Sequence, residues 1–245
     1  MYITETTITE YTMKYQNIEK GKFLIRRNRF VAEVEISGRQ ETVHVKNTGR
    51  CRELLLPGSE VFLTRAENPE RKTRYDLIAV SKERNKKTPL LINMDSQIPN
   101  AAAMEYLQTS GIFSHNAVFK REVTYKNSRF DIFVEDGSRK IFIEVKGVTL
   151  ENNGVALFPD APTERGVKHL EELAQSVEEG FEAWVFFVIQ MKEIKYFTPN
   201  DTMHSEFGTA LRHAAGSGVK VIAMDCLITP DSIKIDAPVK VELAL

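Results

Sequence analysis

Hydrophobic and polar residues alternate along the first third of the chain in short runs that are typical of β-strands. The runs KFLIRRNRFVAEVEI and RQETVHVKNTG flank a short turn at Ser37-Gly38, which predicts a β-hairpin. SEVFLTRAE follows the turn signal Pro57-Gly58, and RYDLIAVSKE completes the series. A set of short strands this close together indicates a small barrel of the OB type.

The pattern changes after SKERNKKTP, a polar and charged stretch at residues 81–89. We place the domain boundary there, which gives a barrel over residues 1–84 and a second domain over 85–245. The second domain is predicted to contain, in order, helix PNAAAMEYLQTSG, strands AVFKREVTY, SRFDIFVE and RKIFIEVKGVTL, helix TERGVKHLEELAQSVEEG, strand EAWVFFVIQ, helix TMHSEFGTALRHAAGSG, strand VKVIAMDC and a hairpin over 232–243. Thr163 and Gly180 are expected to begin and end the second helix. This order predicts an α/β sandwich.

The strands SRFDIFVE and RKIFIEVKGVTL carry charged residues among apolar ones. Side chains alternate between the two faces of a strand, so Asp131 is expected opposite Phe130, Ile132 and Val134. In the next strand Glu144 and Lys146 alternate in the same way with Ile141, Ile143 and Val145. If the apolar faces pack together, Asp131, Glu144 and Lys146 converge on one surface. The alternative is that these charged residues lie on a solvent-exposed face of the sheet and have no function.

Two carboxylates beside an ammonium group suit the hydrolysis of a phosphodiester. Asp131 and Glu144 offer the hard oxygen ligands that Mg²⁺ prefers, and the backbone carbonyl of Val145 offers another. A bound Mg²⁺ or Mn²⁺ polarises phosphate and makes a coordinated water more acidic. Lys146 lies two residues beyond Glu144, roughly 6.6 Å along the strand, where it can orient water or stabilise phosphoryl charge.

Basic residues are clustered at three places that are candidate contacts for nucleic acid. Arg26, Arg27 and Arg29 precede Phe30 on a barrel strand, where guanidinium groups can bind phosphates and the ring can stack on a base. The alternative is a buried Phe30 with solvated arginines.

The other two basic places are a loop and a helix N-terminus. The loop contributes Asn47, Thr48, Gly49 and Arg50 as hydrogen-bond donors to phosphate, although N-T-G is also an ordinary turn. Arg165 and Lys168 begin a helix, whose N-terminus favours anions. They can equally pair with Glu164, Glu171 or Glu172.

The composition narrows the class of protein without deciding it. The net charge is −1, but residues 1–99 hold 18 Lys and Arg against 13 Asp and Glu, whereas residues 100–245 hold 15 against 21. A basic barrel beside an acidic domain suits a binding module joined to a metal-dependent module. Cys51 and Cys226 and the five histidines show no zinc or disulfide pattern. We expect a cytoplasmic protein, since no signal peptide or membrane-spanning run is evident. Nothing in the sequence indicates an oligomeric state.

These motifs resemble the sugar fermentation stimulation protein family, SfsA, and its PD-(D/E)xK nuclease-like domain. The matching stretches run from about residue 23 to 243 and include RRNRFVAEV, INMDSQIPN and SRFDIFVED. FPDAPTERG and EVKGVTL are the most discriminating. The resemblance implies an N-terminal OB-like β-barrel followed by a restriction-endonuclease-like α/β sandwich, with a metal site at Asp131, Glu144 and Lys146. It also implies Glu105, on the first helix, as an auxiliary catalytic acid.

We therefore expect a metal-dependent nuclease that acts on DNA and/or RNA. One alternative is a non-cleaving DNA-binding regulator of sugar metabolism genes that retains a nuclease-like fold. Another is a small-molecule or protein-interaction module without affinity for nucleic acid.

Overall fold

The computed structural model describes residues 13–47, 49–68, 70–84 and 87–244. The strands are β1 (Met13–Lys14), β2 (Ile18–Arg26), β3 (Val31–Ile36), β4 (Arg39–Val45), β5 (Glu60–Arg65), β6 (Tyr75–Arg84), β7 (Lys87–Asn93), β8 (Val118–Tyr125), β9 (Ser128–Asp136), β10 (Arg139–Val148), β11 (Leu150–Asn152), β12 (Val155–Phe158), β13 (Glu182–Ile189), β14 (Tyr196–Pro199), β15 (Lys220–Thr229), β16 (Ser232–Pro238) and β17 (Lys240–Val241). The helices are α1 (Ile98–Thr109), α2 (Glu164–Glu178) and α3 (Ser205–Gly216).

The first domain is the predicted OB-like barrel. Its sheet runs in the order β4-β3-β2-β5-β6-β7, and a parallel pairing of β4 with β6 closes β2 to β6 into a five-stranded barrel. Alternate residues of these strands, such as Phe23, Val34 and Leu63, are buried in its interior. The structure therefore confirms the barrel that the hydrophobic pattern predicted.

The barrel extends beyond the boundary we placed at residue 84. β6 continues to Arg84, and β7 returns along it from Lys87 to Asn93. The described residues of the stretch that resembled a polar linker thus belong to the paired strands β6 and β7, and the two domains meet near residue 94. Ion pairs join Lys46 to Asp95 (2.7 Å) and Lys82 to Glu151 (2.5 Å) across this junction.

The second domain is a three-layer α/β sandwich around a seven-stranded sheet. The strand order is β1-β16-β15-β13-β10-β9-β8, with β10, β13 and β15 parallel to one another. Helix α1 packs on one face, with Ala103 and Leu107 against Ile143. Helices α2 and α3 pack on the other face. Both faces are covered, which explains why β13 is almost entirely apolar.

Local signals correctly predicted most of these elements. The side chain of Thr163 accepts a hydrogen bond from Gly166 N (3.1 Å) at the start of α2, and Gly180 ends that helix with φ 89°. The predicted hairpin over 232–243 is wrong. β16 pairs with β15, but β17 joins β14 in a separate four-stranded sheet with β11 and β12.

Candidate active site

Asp131 is the fourth residue of β9 and faces the first turn of α1. Its Oδ2 accepts a hydrogen bond from the backbone N–H of Val145 (2.8 Å) in the neighbouring strand. Its Oδ1 accepts from Nδ2 of Asn100 (2.7 Å), in the first turn of α1. The carboxylate is therefore held by two donors from different elements.

Glu144 lies next to it on β10 and is only 3 % exposed. Its Oε1 accepts a hydrogen bond from Nζ of Lys146 (2.6 Å) and also contacts Nδ1 of His169 on α2. Its Oε2 is buried and has no hydrogen-bond partner among the described residues. A buried carboxylate oxygen without a donor is costly, so one side of Glu144 is left open to a cation.

The imidazole of His169 is fixed from both sides. Nε–H of Arg165 donates to Nε2 of His169 (3.2 Å), so this nitrogen is the acceptor and the ring carries its proton on Nδ1. That proton is donated to Glu144. Phe130 stands edge-on to the ring, with 6.0 Å between centroids. Arg165, His169 and Glu144 thus form a chain that orients the glutamate.

The electrostatics of the two carboxylates differ. Burial and the nearby charge of Glu144 raise the pKa of Asp131, despite the opposing hydrogen bonds and the charge of Lys146. Burial also acts to raise the pKa of Glu144, but Lys146 and His169 outweigh it and hold this pKa below its ordinary value. The environment therefore favours the charged form of Glu144 and opposes the ionisation of Asp131.

The structure brings Asp131, Glu144 and Lys146 together, as the strand alternation predicted. Ile132, Ile143 and the side chain of Val145 share the α1-side core. Phe130 was placed on that face and belongs instead to the opposite cluster, where it contacts Phe142. The alternation breaks where the facing strand β8 holds Glu122 at φ 54°.

Glu105 is not brought to this cluster. It lies further along α1, in a small cleft beside β16, where burial raises its pKa and Lys234 opposes the effect. Asn100 is the α1 residue that reaches Asp131. Neither Asn100 nor His169 was singled out from the sequence, although His169 follows Arg165 at the i+4 spacing that places two side chains on one helix face.

Arg26 is a structural residue, which corrects its interpretation as a phosphate ligand. All five of its N–H donors are used by backbone carbonyls of the two loops that flank it. The acceptors are Asn28 O (3.2 Å), Arg29 O (2.7 Å), Asn47 O (2.6 Å), Gly49 O (2.8 Å) and Arg50 O (2.7 Å). A guanidinium group has five donors, so none remains for a phosphate.

Other basic side chains remain exposed around these loops. Arg29 and Arg50 have no ion-pair partner among the described residues, and Arg52 joins them around an open groove of about 550 Å³. Arg27 lies 3.5 Å from Glu33. Phe30 is 53 % exposed, so it is a surface residue and not part of the barrel core.

The polar loop after β4 is a turn that a side-chain hydrogen bond stabilises. Oδ1 of Asn47 accepts from Gly49 N (2.8 Å), and Asn47 itself is buried. Thr48 lies outside the described residues. At the N-terminus of α2, the other predicted phosphate contact, Nζ of Lys168 donates to Asn127 O (2.8 Å) and lies 3.9 Å from Glu172. The alternative that Lys168 pairs with a glutamate of its own helix is therefore the one observed.

Comparisons with known proteins identify the family. The family model described as "Sugar fermentation stimulation protein RE domain" matches residues 97–232, and "SfsA N-terminal OB domain" matches residues 24–88. A sugar fermentation stimulation protein homolog of Desulfitobacterium hafniense is 58 % identical over 231 residues, which cover 94 % of this chain and 99 % of the relative. The homolog of Clostridium beijerinckii is 54 % identical and the alignment covers 91 % of this chain and 96 % of that protein. The chain belongs to the SfsA family.

A solved structure agrees with the fold. The structure of Pyrococcus furiosus SfsA, described as a complex with Ca²⁺, has a TM-score of 0.82 and 26 % sequence identity, covering 94 % of this chain and 98 % of the other. In the described part of this chain, no helix is long and apolar enough to cross a membrane.

Proposed function

We propose that this protein is a metal-dependent nuclease that hydrolyses phosphodiester bonds of DNA and/or RNA. The observation that carries the proposal is the buried Oε2 of Glu144, which has no hydrogen-bond partner among the described residues. Asp131 lies beside it, and its pKa is raised by burial and by the charge of Glu144. Two neighbouring carboxylates repel each other when both are ionised, and a cation between them would offset that repulsion. Lys146 neutralises only one side of Glu144.

The donor set fits Mg²⁺ or Mn²⁺. Asp131, Glu144 and the carbonyl of Val145 would hold the ion with hard oxygen atoms. Among the described residues no group of three or more His, Cys, Asp or Glu side chains is arranged to hold a metal, and the ligands proposed here are two carboxylates and one carbonyl. Mg²⁺ suits such a site because it keeps several waters and takes substrate phosphate as a ligand. The P. furiosus relative is described in complex with Ca²⁺, another oxygen-seeking cation.

The bound ion would lower the negative charge on a phosphate and make a coordinated water more acidic. Each surrounding side chain has a separate task. Asn100 and the amide of Val145 hold Asp131 in place. His169 holds Oε1 of Glu144 and leaves Oε2 available. Lys146 places a positive charge where negative charge develops on the phosphoryl oxygens.

The barrel would present the nucleic acid. Arg29, Arg50 and Arg52 line one groove, and their guanidinium groups match phosphate geometry. Phe30 lies next to them, with enough exposed surface to stack on a base. Binding through these residues depends on the backbone and on π-faces, and it therefore suits many sequences.

The same surface supports a second function, that of a regulator which binds nucleic acid without cleaving it. The arginine groove lies on the barrel and needs neither carboxylate. Such a protein would bind equally well with Asp131 and Glu144 neutralised. A nuclease needs both residues for turnover.

The test is the cleavage of labelled single- and double-stranded DNA and RNA in Mg²⁺, Mn²⁺ or EDTA. We compare the wild-type protein with Asp131→Asn and Lys146→Ala, and use Lys140→Ala, an exposed residue on the same strand, as the matched control. We expect metal-dependent products from the wild type and the control, and none from the other two. Binding without cleavage in either metal would refute the nuclease and favour the regulator.

A further inference from the structure

A small polar cavity of about 140 Å³ lies between the two domains. Asn47 and Gly49 line it from the barrel, and Gly147 and Thr149 line it from β10 and the residue that follows. Gly147 directly follows Lys146, so the cavity begins where β10 leaves the candidate active site. Whatever occupies it would lie close to a phosphate bound there.

The cavity contains hydrogen-bonding groups that the protein does not use. Gln190 is only 1 % exposed, and its Nε2 donates to Asn93 Oδ1 (2.9 Å) and to Asp95 O (3.1 Å). Those two bonds fix the orientation of the amide, so its oxygen faces away from them. That Oε1 has no partner among the described residues and lies at the Gly147 wall. The buried hydroxyl of Thr149 likewise has no partner there.

Asp160 adds a carboxylate to the lining. Burial raises its pKa, although the backbone N–H groups of Asp160 and Arg50 donate to it and the charges of Arg26 and Arg50 also act to lower its pKa. The carboxylate lies against Gly49 so closely that a Cβ on that residue would collide with it. A Cβ on Gly147 would come within 2.6 Å of Oε1 of Gln190. The absence of side chains at both glycines therefore keeps the polar groups accessible.

Leu157 and Phe158 add apolar side chains to the lining. Proteins hold an unpaired base in pockets that combine apolar or aromatic side chains with hydrogen-bonding groups. Gly49 lines both this cavity and the arginine groove of the barrel. A strand whose phosphates lie along that groove can therefore direct a base into the cavity.

We infer that this cavity is a nucleobase pocket, which takes one unpaired base by its N–H donors, with guanine favoured over the other bases. Guanine carries two adjacent donors on its Watson–Crick edge, N1–H and N2–H₂, and a carboxylate such as Asp160 accepts both. Gln190 Oε1 provides a further acceptor, and the amide N–H₂ of Asn47 and the hydroxyl of Thr149 provide donors for the carbonyl O6 and the ring nitrogen atoms of guanine. The inference rests on the proposed function only in assigning nucleic acid as the ligand.

The test measures binding in EDTA, so that cleavage does not interfere. The probes are fluorescein-labelled dT15 and the same strand with one central dG, compared by fluorescence anisotropy. We expect the dG strand to bind on the order of tenfold more tightly, as for a bidentate contact to a base. Asp160→Asn should remove this preference, whereas Asp231→Asn, the same change at an exposed turn, should retain it. Thr149→Val, which keeps the shape of the side chain, should weaken the preference, and thermal melting confirms that each variant is folded.

Equal affinity of the wild type for the two strands, or an undiminished preference in folded Asp160→Asn, would overturn the inference. Wild-type cleavage of dT15 in Mg²⁺ is measured separately and tests the nuclease. Cleavage of dT15 without a preference for dG would support the nuclease and refute the base pocket. A preference for dG without cleavage would support the base pocket and refute the nuclease.

Discussion

Replacement of Arg26 by lysine should destabilise the barrel without acting through nucleic acid. The guanidinium group donates to five backbone carbonyls in the loops on either side of the groove. Lysine has three N–H donors on one atom, so at least two carbonyls lose their partner. A hydrogen bond from a charged group contributes roughly 1.5–3 kcal/mol, and these loops are partly exposed, which places the expected loss at about 2–3 kcal/mol.

The assay is urea unfolding at neutral pH, followed by circular dichroism and by tryptophan fluorescence. The single tryptophan, Trp184, lies in β13, so its fluorescence reports the α/β domain, and circular dichroism also reports the barrel. Arg29→Lys is the matched control, because its exposed side chain pairs with no described residue; its unfolding free energy should change by less than about 0.5 kcal/mol. Arg29→Ala should instead lower the salt dependence of nucleic-acid binding by about one phosphate contact. An unchanged unfolding midpoint for Arg26→Lys, together with a loss of binding like that of Arg29→Ala, would show that Arg26 is a phosphate ligand after all.

Three further predictions concern the carboxylates and one ion pair. Excess Mg²⁺ should raise the melting temperature of the wild type by several degrees relative to EDTA, since a ligand at a hundredfold excess over Kd stabilises the folded state by about 2.7 kcal/mol. Calorimetry of the double variant Asp131→Asn with Glu144→Gln should show no such rise. His169→Ala should reduce metal affinity and cleavage roughly 10- to 100-fold, with partial recovery in His169→Gln; equal titration curves for Ala and wild type would exclude a positioning role. Arg139 and Lys220 lower the pKa of Glu182 to about 2, so this carboxylate contributes stability above its unfolded pKa that is lost as the pH falls from about 4.5 to about 2. Because Glu182 is about a third exposed, Glu182→Gln should cost only about 1 kcal/mol at pH 7 and almost nothing at pH 2, as acid titration of urea unfolding would measure.

The sequence predicted the features that depend on repeating patterns. Alternation along β10 placed Glu144 and Lys146 on one face, because the strand period of two leaves little freedom once the other face is apolar. Asp131 lies beside them on β9, although the alternation of that strand breaks at Phe130. The caps of α2 were readable for a similar reason, since Thr163 and Gly180 act on their own backbone neighbours. Both kinds of prediction need only local information.

The errors arise where a side chain depends on distant partners. The role of Arg26 is set by backbone carbonyls, which every residue carries, so no pattern of side chains could reveal it. Glu105 and Asn100 lie on the same helix, and only the rotation of α1 against the sheet decides which one reaches Asp131. β7 was missed because the paired ends of β6 and β7 carry polar and charged residues, and a run of such residues in the sequence resembles a linker.

The charged residues of the candidate active site lower the stability of the folded protein, and this loss of stability is itself an argument for function. Burial and the charge of Glu144 raise the pKa of Asp131, so the folded protein loses stability as the pH rises through the titration of this group. A core selected only for stability would replace the pair with apolar residues, which usually pack at no cost or at a gain. The fold instead surrounds the pair with Asn100, His169 and Lys146, each of which orients a carboxylate and none of which satisfies Oε2 of Glu144. A cation bound there would offset this cost, and on that ground we propose a role in chemistry for the pair.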